Sequence, residues 1–241
     1  MNIVLDIHSH TVACQHGYST VQEIAKQARD IGLELFAVTE HGPKLLPGHN
    51  EFFFRNIKVI PREMYGVKIL RGAEVNILDE DGNIDLSERA LKRLDIVIAS
   101  LHEPIIPPRD IHSNTKALIN AIKNPYIDII GHPGNPRFPI DIDSVVQAAL
   151  DNNKLLEINN HSFRARRGSF RNCLKLAKRV KDAGGIVALG SDSHISFHIG
   201  IFDKALELIK EAGLGEENVI NTSVEKLLNF LRSRGKEIEF E

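Results

Sequence analysis

Residues 3–10 read Ile-Val-Leu-Asp-Ile-His-Ser-His, an apolar run that ends in two histidines. The run Ile3–Ile7 is almost continuously apolar, which is typical of a parallel strand covered on both faces. Similar runs recur along the chain at Leu35–Thr39, Lys68–Glu74, Ile96–Leu101, Ile127–Gly131, Leu155–Asn159 and Ile186–Gly190. The sequence therefore predicts seven parallel strands.

Amphipathic stretches lie between these runs. The first begins at Thr20, which can form a capping box with Glu23, and Gly32 ends it. Further helices are predicted at Leu86–Leu94, Thr115–Lys123, Ser144–Asn152, Asn172–Ala183, Asp203–Ala212 and Ser223–Arg234. The alternation indicates an α/β fold, a closed or nearly closed parallel barrel, with an open doubly wound sheet as the alternative. With no Gly/Ser-rich linker, residues 1–241 are expected to form a single domain.

The bulk composition is that of an ordinary globular enzyme, with 42% hydrophobic and 26% charged residues. A net charge of -2 gives no general attraction for nucleic acid or anionic membranes. We find no signal peptide and no apolar run near the roughly 20 residues that span a bilayer. Two cysteines are too few for a disulfide framework. We therefore expect a cytoplasmic protein with reduced thiols, without membrane or nucleic-acid partners.

Residues that bind metals follow almost every predicted strand. Seven histidines and two carboxylates share this position: His8, His10, His16, His41, Glu74, His102, His132, Asp192 and His194. Because the carboxyl ends of parallel barrel strands meet at one mouth, these side chains are expected to converge. Imidazole and carboxylate together suit zinc, manganese or iron.

Nine ligands are too many for one ion, since a zinc ion typically takes four. The set suggests two or three divalent metals with at least one bridging carboxylate. Such clusters suit in-line displacement at phosphorus, where one ion activates water and the others hold phosphate oxygens. The sequence therefore favours a metal-dependent phosphoesterase.

At this point the chain resembles the PHP-domain family (polymerase and histidinol phosphatase), and within it the stand-alone YcdX-type phosphatases. The resemblance rests on His8-Ser9-His10, Thr39-Glu40-His41, Gly72-Ala73-Glu74, Ser100-Leu101-His102, Gly131-His132-Pro133 and Gly190-Ser191-Asp192-Ser193-His194. It implies a distorted (β/α)7 TIM-like barrel with a trinuclear site, zinc favoured, and a homotrimer is compatible with it.

The resemblance also implies a division of the ligands. His8, His10, Glu74 and Asp192 would hold the first metal, and Glu74 would bridge to a second metal at His102 and His132. His16, His41 and His194 would hold the third. The hypothesis is a phosphomonoester phosphatase in which a hydroxide bridging two metals attacks phosphorus, so that no protein nucleophile is needed.

Several residues near the predicted mouth are candidates for substrate binding. Arginines after the sixth strand can bind phosphate oxygens through two nitrogens. The candidates are Arg164, Arg166, Arg167, His161, His49 and Lys44. Glu40, Glu157 and Asn159 could orient the imidazoles, whereas His112 and His198 are expected to be structural.

Three other functions compete with the phosphatase. An amidohydrolase-type metal hydrolase also opens with His-x-His, but the ligand set here is larger and His102 stands where a bridging lysine is expected. A small-nucleotide phosphodiesterase or exonuclease would use the same metals, although the near-neutral net charge and the lack of any predicted DNA-binding domain argue against a processive nuclease. A metal-binding module without catalysis would require a site closed to substrate.

Overall fold

The computed structural model describes residues 1–45 and 49–240. Its parallel strands are β1 (Leu5–Asp6), β2 (Leu35–His41), β4 (Val67–Asn76), β5 (Ile96–Ser100), β6 (Ile129–Ile130), β7 (Leu155–Asn159) and β8 (Val187–Gly190). They lie side by side in chain order. A short strand, β3 (Glu63–Met64), forms an antiparallel hairpin with β4.

The sheet closes where its first and last parallel strands meet. Ser9 and Ser193 form a parallel bridge. The backbone N–H of Asp192 donates to the His8 carbonyl at 3.0 Å, and that of His10 donates to the Ser193 carbonyl at 2.8 Å. The predicted distorted (β/α)7 barrel is thus confirmed, and the open sheet is not formed. The unequal strands, ten residues in β4 but two in β1 and β6, account for the distortion.

The helices surround the barrel. They are α1 (Val21–Asp30), α2 (Glu51–Asn56), α3 (Glu88–Leu91), α4 (Ile111–Ile122), α5 (Ile142–Asp151), α6 (Ser162–Ala165), α7 (Ser169–Asp182), α8 (Asp203–Ala212) and α9 (Val224–Ser233). None of the helices in the described ranges is long and apolar enough to cross a membrane.

The predicted ends of α1 are confirmed, whereas α4, α5 and α7 begin two to four residues before their predicted starts. Thr20 and Glu23 form the expected capping box at α1, and Gly32 follows the helix with a φ of 81°. The predicted helix Leu86–Leu94 is wrong in length, because α3 ends after one turn as the chain enters β5. The short helices α2 and α6 lie in segments for which no helix was predicted.

Two apolar layers hold the barrel together. Residues from all seven parallel strands, among them Leu5, Leu70 and Ile98, fill its interior. A larger layer packs the outer face of the sheet against the helices. The interior layer continues into Leu227 and Leu231 of α9, which cover the amino ends of the strands. The carboxyl ends are left for polar groups.

Candidate metal centre

The nine candidate ligands converge at the carboxyl ends of the strands. Their exposure increases from the barrel interior outward: His8 and His10 are fully buried, whereas His16 is exposed. Four clusters bring at least three ligand atoms within 4.8 Å of one another. They are His8, His10 and Glu74; His41, Glu74 and His102; His16, His41 and His194; and His10, Cys14 and His194.

Glu74 lies at the centre, and its two oxygens face different histidines. Its Oε2 is 2.7 Å from His41 Nδ1 and 3.4 Å from His8 Nε2. Its Oε1 is 3.0 Å from His132 Nε2 and 3.3 Å from His102 Nε2. A carboxylate placed in this way has the geometry to bridge two cations. Strand β4 continues to Asn76, two residues beyond the predicted end, so Glu74 lies inside the strand.

Asp192 faces the other side of the deepest cluster. Its Oδ1 is 3.3 Å from His10 Nε2 and 3.7 Å from His8 Nε2. The two Nε2 atoms of His8 and His10 are themselves only 3.1 Å apart. Ring nitrogens this close, with carboxylates on both sides, match the ligand spacing around a tetrahedral zinc ion, where each Zn–N bond is about 2.0–2.1 Å.

The more exposed cluster contains His16, His41 and His194. His16 Nδ1 donates to the Cys14 carbonyl at 2.9 Å, and His194 Nδ1 donates to the Asp192 carbonyl at 3.0 Å. Each bond fixes the tautomer that leaves Nε2 free. Cys14 is buried beside this cluster, and burial raises the pKa of its thiol to about 11.

Buried acceptors behind the histidines orient the rings. His8 Nδ1 donates to Glu157 Oε1 at 2.7 Å, and the backbone N–H of His132 donates to Glu157 Oε2 at 2.7 Å. His102 Nδ1 donates to Asn76 Oδ1 at 2.7 Å. Ser100 donates to Glu74 Oε1 at 2.6 Å. Such supporting hydrogen bonds hold ligands in their binding geometry.

Several residues at the site have unusual backbone conformations or close backbone contacts. His132 and Asp192 have positive φ angles of 32° and 54°, in the left-handed region that few non-glycine residues adopt. Gly190 has no room for a side chain, because a Cβ there would lie 1.9 Å from Glu157 Oε1. Backbone strain of this kind is common at functional sites and needs compensation from the surrounding structure.

Electrostatics at the centre favour ionised carboxylates. Burial raises the pKa of Glu74, but the charges of His8, His102 and His41 outweigh it and hold the pKa well below its ordinary value. Burial lowers the pKa of His8, yet Glu157, Glu74 and Asp192 raise it well above its usual range. Burial, with a smaller contribution from Arg166, lowers the pKa of His132 to about 4.

The residues fit a cluster of divalent metals. Glu74 Oε2 and His41 Nδ1 are buried and 2.7 Å apart, but they are not aligned for a hydrogen bond, and neither atom has another hydrogen-bond partner among the described residues. Leaving such atoms unsatisfied is costly unless a cation binds there. The donor set of imidazoles and carboxylates is the one that zinc, manganese and iron accept.

Two joined cavities lie at this mouth. The first, of about 490 Å³, is lined by candidate ligands together with His161 and His198. The second, of about 780 Å³, is lined by Arg137, Arg166 and Arg167. Leu45, His102, Ala165 and Arg166 line both cavities. Each has the size of a pocket for a small molecule.

The substrate candidates divide into two groups. Arg166, Arg167 and His161 line these cavities. Arg164, His49 and Lys44 line neither: His49 stacks on Phe53 with ring centroids 3.9 Å apart, and Lys44 is exposed. Arg171 lies on the exposed side of α7, outside both cavities. The sequence also predicts that the loop 42–54 contributes to substrate specificity, and residues 46–48 of this loop lie outside the described residues.

Sequence reasoning missed four residues at the site. Asn76 and Ser100 support ligands, Arg137 lines the larger cavity, and His198 lines the smaller one, although His198 was expected to be structural. The signal that could have found them is position, since each lies at or after the carboxyl end of a strand.

A model of the PHP domain matches residues 6–161. A probable phosphatase from a Thermoanaerobacter species is 52% identical over 240 residues, covering 99% of this chain and 98% of its own length. A probable phosphatase from Acetivibrio thermocellus is 48% identical over 238 residues, covering 99% of each.

Among solved structures, histidinol phosphate phosphatase from Lactococcus lactis, complexed with Zn, L-histidinol and phosphate, superimposes with a TM-score of 0.62. It covers 88% of this chain and 94% of its own, at 21% identity, and so supports the fold.

Proposed function

The chain belongs to the PHP-domain family, and we propose that it is a metal-dependent phosphatase that hydrolyses phosphomonoesters. Relatives about half identical over nearly their whole length are named probable phosphatases, which supports the activity. The observation that carries the metal dependence is Glu74, whose two oxygens face separate groups of histidines.

We assign the ligands to two or three metals. His8, His10, Glu74 and Asp192 would hold one ion, Glu74 with His102 and His132 a second, and His16, His41 and His194 a third. The imidazole-rich donor set favours zinc, with manganese and iron as alternatives. Bound ions would supply Lewis acidity, which activates water and neutralises charge on the phosphoryl group.

Arg166 is the residue best placed to hold the phosphate. Its Nη1 donates to Ser162 Oγ at 2.7 Å and lies 3.9 Å from Asp192 Oδ2. The guanidinium therefore lies beside a candidate ligand and faces both cavities. A fixed guanidinium can bind phosphate oxygens through two nitrogens, which orients the phosphorus and offsets its charge.

The chain's buried carboxylates keep the imidazoles in place during turnover. Glu157 fixes His8 through its ring and His132 through its backbone. Glu40 Oε2 lies 4.0 Å from His10 Nδ1, and burial raises the pKa of Glu40 to about 7. Asn159 donates to Glu157 Oε2 at 3.2 Å and accepts from the Ser162 hydroxyl. Because Ser162 also accepts from Arg166, the hydrogen-bond network extends from Glu157 to Arg166.

The test is hydrolysis of para-nitrophenyl phosphate before chelation, after chelation and after return of each metal. We expect activity to be lost and then restored, and His10→Ala to lack it. Bis-para-nitrophenyl phosphate provides the phosphodiesterase comparison. Full activity both after chelation and in His10→Ala would contradict the proposal. The homotrimer and the cytoplasmic location stay predictions.

A further inference from the structure

The larger cavity is where the alcohol part of a phosphate ester would lie. It joins the metal-side cavity through four shared residues, with Arg166 at the junction. A phosphoryl group held among the candidate ligands would therefore direct its ester oxygen toward the larger cavity. The residues of that cavity should decide which esters are bound.

Charge distinguishes this cavity. Three arginines line it, Arg137, Arg166 and Arg167, against one carboxylate, Glu103. Glu103 is already engaged, because Arg137 Nε donates to its Oε1 at 2.7 Å and Arg137 Nη2 to its Oε2 at 2.8 Å. The cavity thus keeps an excess of positive charge even when Arg166 is assigned to the phosphoryl group.

Arg137 is exposed, and its side chain is oriented by the two hydrogen bonds to Glu103. Its backbone N–H donates to Asn135 Oδ1 at 3.1 Å, and the next residue, Phe138, is buried in the outer apolar layer. The pair with Glu103 uses two of its five N–H donors, which leaves three for a ligand. The pair with Glu103 directs the guanidinium to the cavity wall, where its remaining donors can bind an anion.

The rest of the lining does not favour a cationic group. Leu45, Leu101, Pro104 and Pro136 supply apolar surface. A protonated amine on the leaving group would meet a lining with a net positive charge, because Glu103 offsets only one of the three arginines, and would be repelled. A carboxylate or second phosphate would gain charge-assisted hydrogen bonds.

From this arrangement we infer that the substrate is a phosphomonoester whose alcohol carries a second anionic group, bound by Arg137 and Arg167. The inference rests on the proposed phosphatase function and names its substrate class. It separates this chain from enzymes whose leaving group is an amino alcohol.

Turnover of matched esters tests the inference. The first pair is 3-phosphoglycerate and glycerol 3-phosphate, which differ in a carboxylate. The second is fructose 1,6-bisphosphate and fructose 6-phosphate, which differ in a phosphate. In at least one pair we expect the ester with the additional anion to have a kcat/KM about five- to tenfold higher, mostly through KM. The pair with the larger ratio identifies the anion, and a ratio near one in both overturns the inference.

Variants assign the effect to named residues. In Arg137→Gln and Arg167→Gln the ratio should fall to about twofold or less, because one charge-assisted bond is lost. Glu103→Gln combined with Arg137→Gln removes both partners of the ion pair and so excludes an effect of an unpaired Glu103. The control Arg171→Gln should keep the wild-type ratio. Ratios that do not change in Arg137→Gln and Arg167→Gln would overturn the assignment.

Binding gives a readout that is independent of turnover. Calorimetric titration of the metal-loaded protein with 4-phosphonobutyrate and with its carboxamide should give a Kd about five- to tenfold lower for the carboxylate. Equal Kd values would overturn the second-anion site even if every ester is hydrolysed. A retained Kd difference without hydrolysis of any monoester would instead overturn the proposed function.

Discussion

The two ends of the barrel both bury charged side chains, but the amino ends pair carboxylates with lysine and arginine, whereas the carboxyl ends set them mainly against histidines. At the amino ends of the strands, Asp128 accepts from the Val97 backbone at 2.8 Å and pairs with Lys236. Lys154 donates to the carbonyls of Asn124 and Ile127. Arg234 Nε and Asp128 Oδ1 have no hydrogen bond within the described part of the chain, but they face each other at 3.7 Å.

At the carboxyl ends, in contrast, the buried carboxylates face mainly imidazole rings, which can bind metals. Glu74 alone faces five histidines, and its Oε2 has no hydrogen-bond partner among the described residues. The lesson is that buried charge by itself does not mark a functional site. A buried set that the chain leaves unsatisfied does, because the missing partner must come from outside.

The largest effect is expected from Glu74→Gln, which keeps the shape but removes the charge at the centre. If the metals stabilise the transition state less by several kcal/mol, kcat/KM should fall by about 10³-fold. Bound metal, measured by elemental analysis, should fall as well. A metal content in Glu74→Gln equal to that of the wild type would contradict the claim that the carboxyl ends of the strands bind metals through Glu74.

Glu157→Gln should have an intermediate effect at the same end. The amide cannot accept from both His8 and the His132 backbone, so the imidazoles lose their fixed orientation. Metal affinity or activity should fall by about 10- to 100-fold. The measurement is competition with a chelator of known affinity. An unchanged metal affinity would show that the buried carboxylate behind the ligands is dispensable.

Lys154→Met tests the opposite end, where stability should change and chemistry should not. Burial, with a further contribution from Arg234, lowers the pKa of Lys154 to about 7, whereas nearby Asp128 opposes the shift. Between about pH 7 and 10, Lys154 is therefore protonated in the unfolded chain but largely neutral in the folded chain. Because the unfolded state binds more protons there, the contribution of Lys154 to the free energy of unfolding rises with pH in that range.

The variant should therefore lose stability relative to wild type as pH rises, reaching about 1–3 kcal/mol near pH 9 through the lost bonds to carbonyls. Urea unfolding at pH 6 and 9, with equal metal loading, measures this. A pH-independent difference would contradict the pKa account, and a large loss of kcat would contradict the separation of the two ends.

The smallest effect is expected from Phe240→Ala at the same closed end. The half-buried Phe240 packs against the interior layer, and Lys68 Nζ lies 5.8 Å from its ring centroid. Truncation should cost about 1 kcal/mol in the free energy of unfolding. Activity at saturating metal should stay within twofold of the wild-type activity. A greater loss would show that the carboxyl-terminal segment around Phe240 affects the metal centre.

The sequence predicted the barrel and the convergence of ligands because both follow from simple periodicities. The i, i+2 pairs His8 and His10, and Asp192 and His194, are visible in the chain, and strand polarity brings them together. The predicted strand ends were less accurate, since the strand predicted to end at Glu74 continues to Asn76 in β4. Burial, which sequence does not show, decides how far a strand continues.

The supporting residues could not be predicted in the same way. Asn76 and Ser100 are common polar residues, and only the distances to His102 and Glu74 give them a role. Arg137 is an exposed arginine in a loop, like many without function. Its pairing with Glu103 and its place in the cavity depend on a fold that brings two loops together.

The most direct test of the account is the metal content of the purified wild-type protein, measured together with activity. We predict two or three divalent ions per chain, a content that falls in Glu74→Gln and is unaffected in Lys154→Met. A wild-type protein that hydrolyses phosphomonoesters at full rate without stoichiometric metal would contradict the claim that the unsatisfied end of the barrel exists to bind metals.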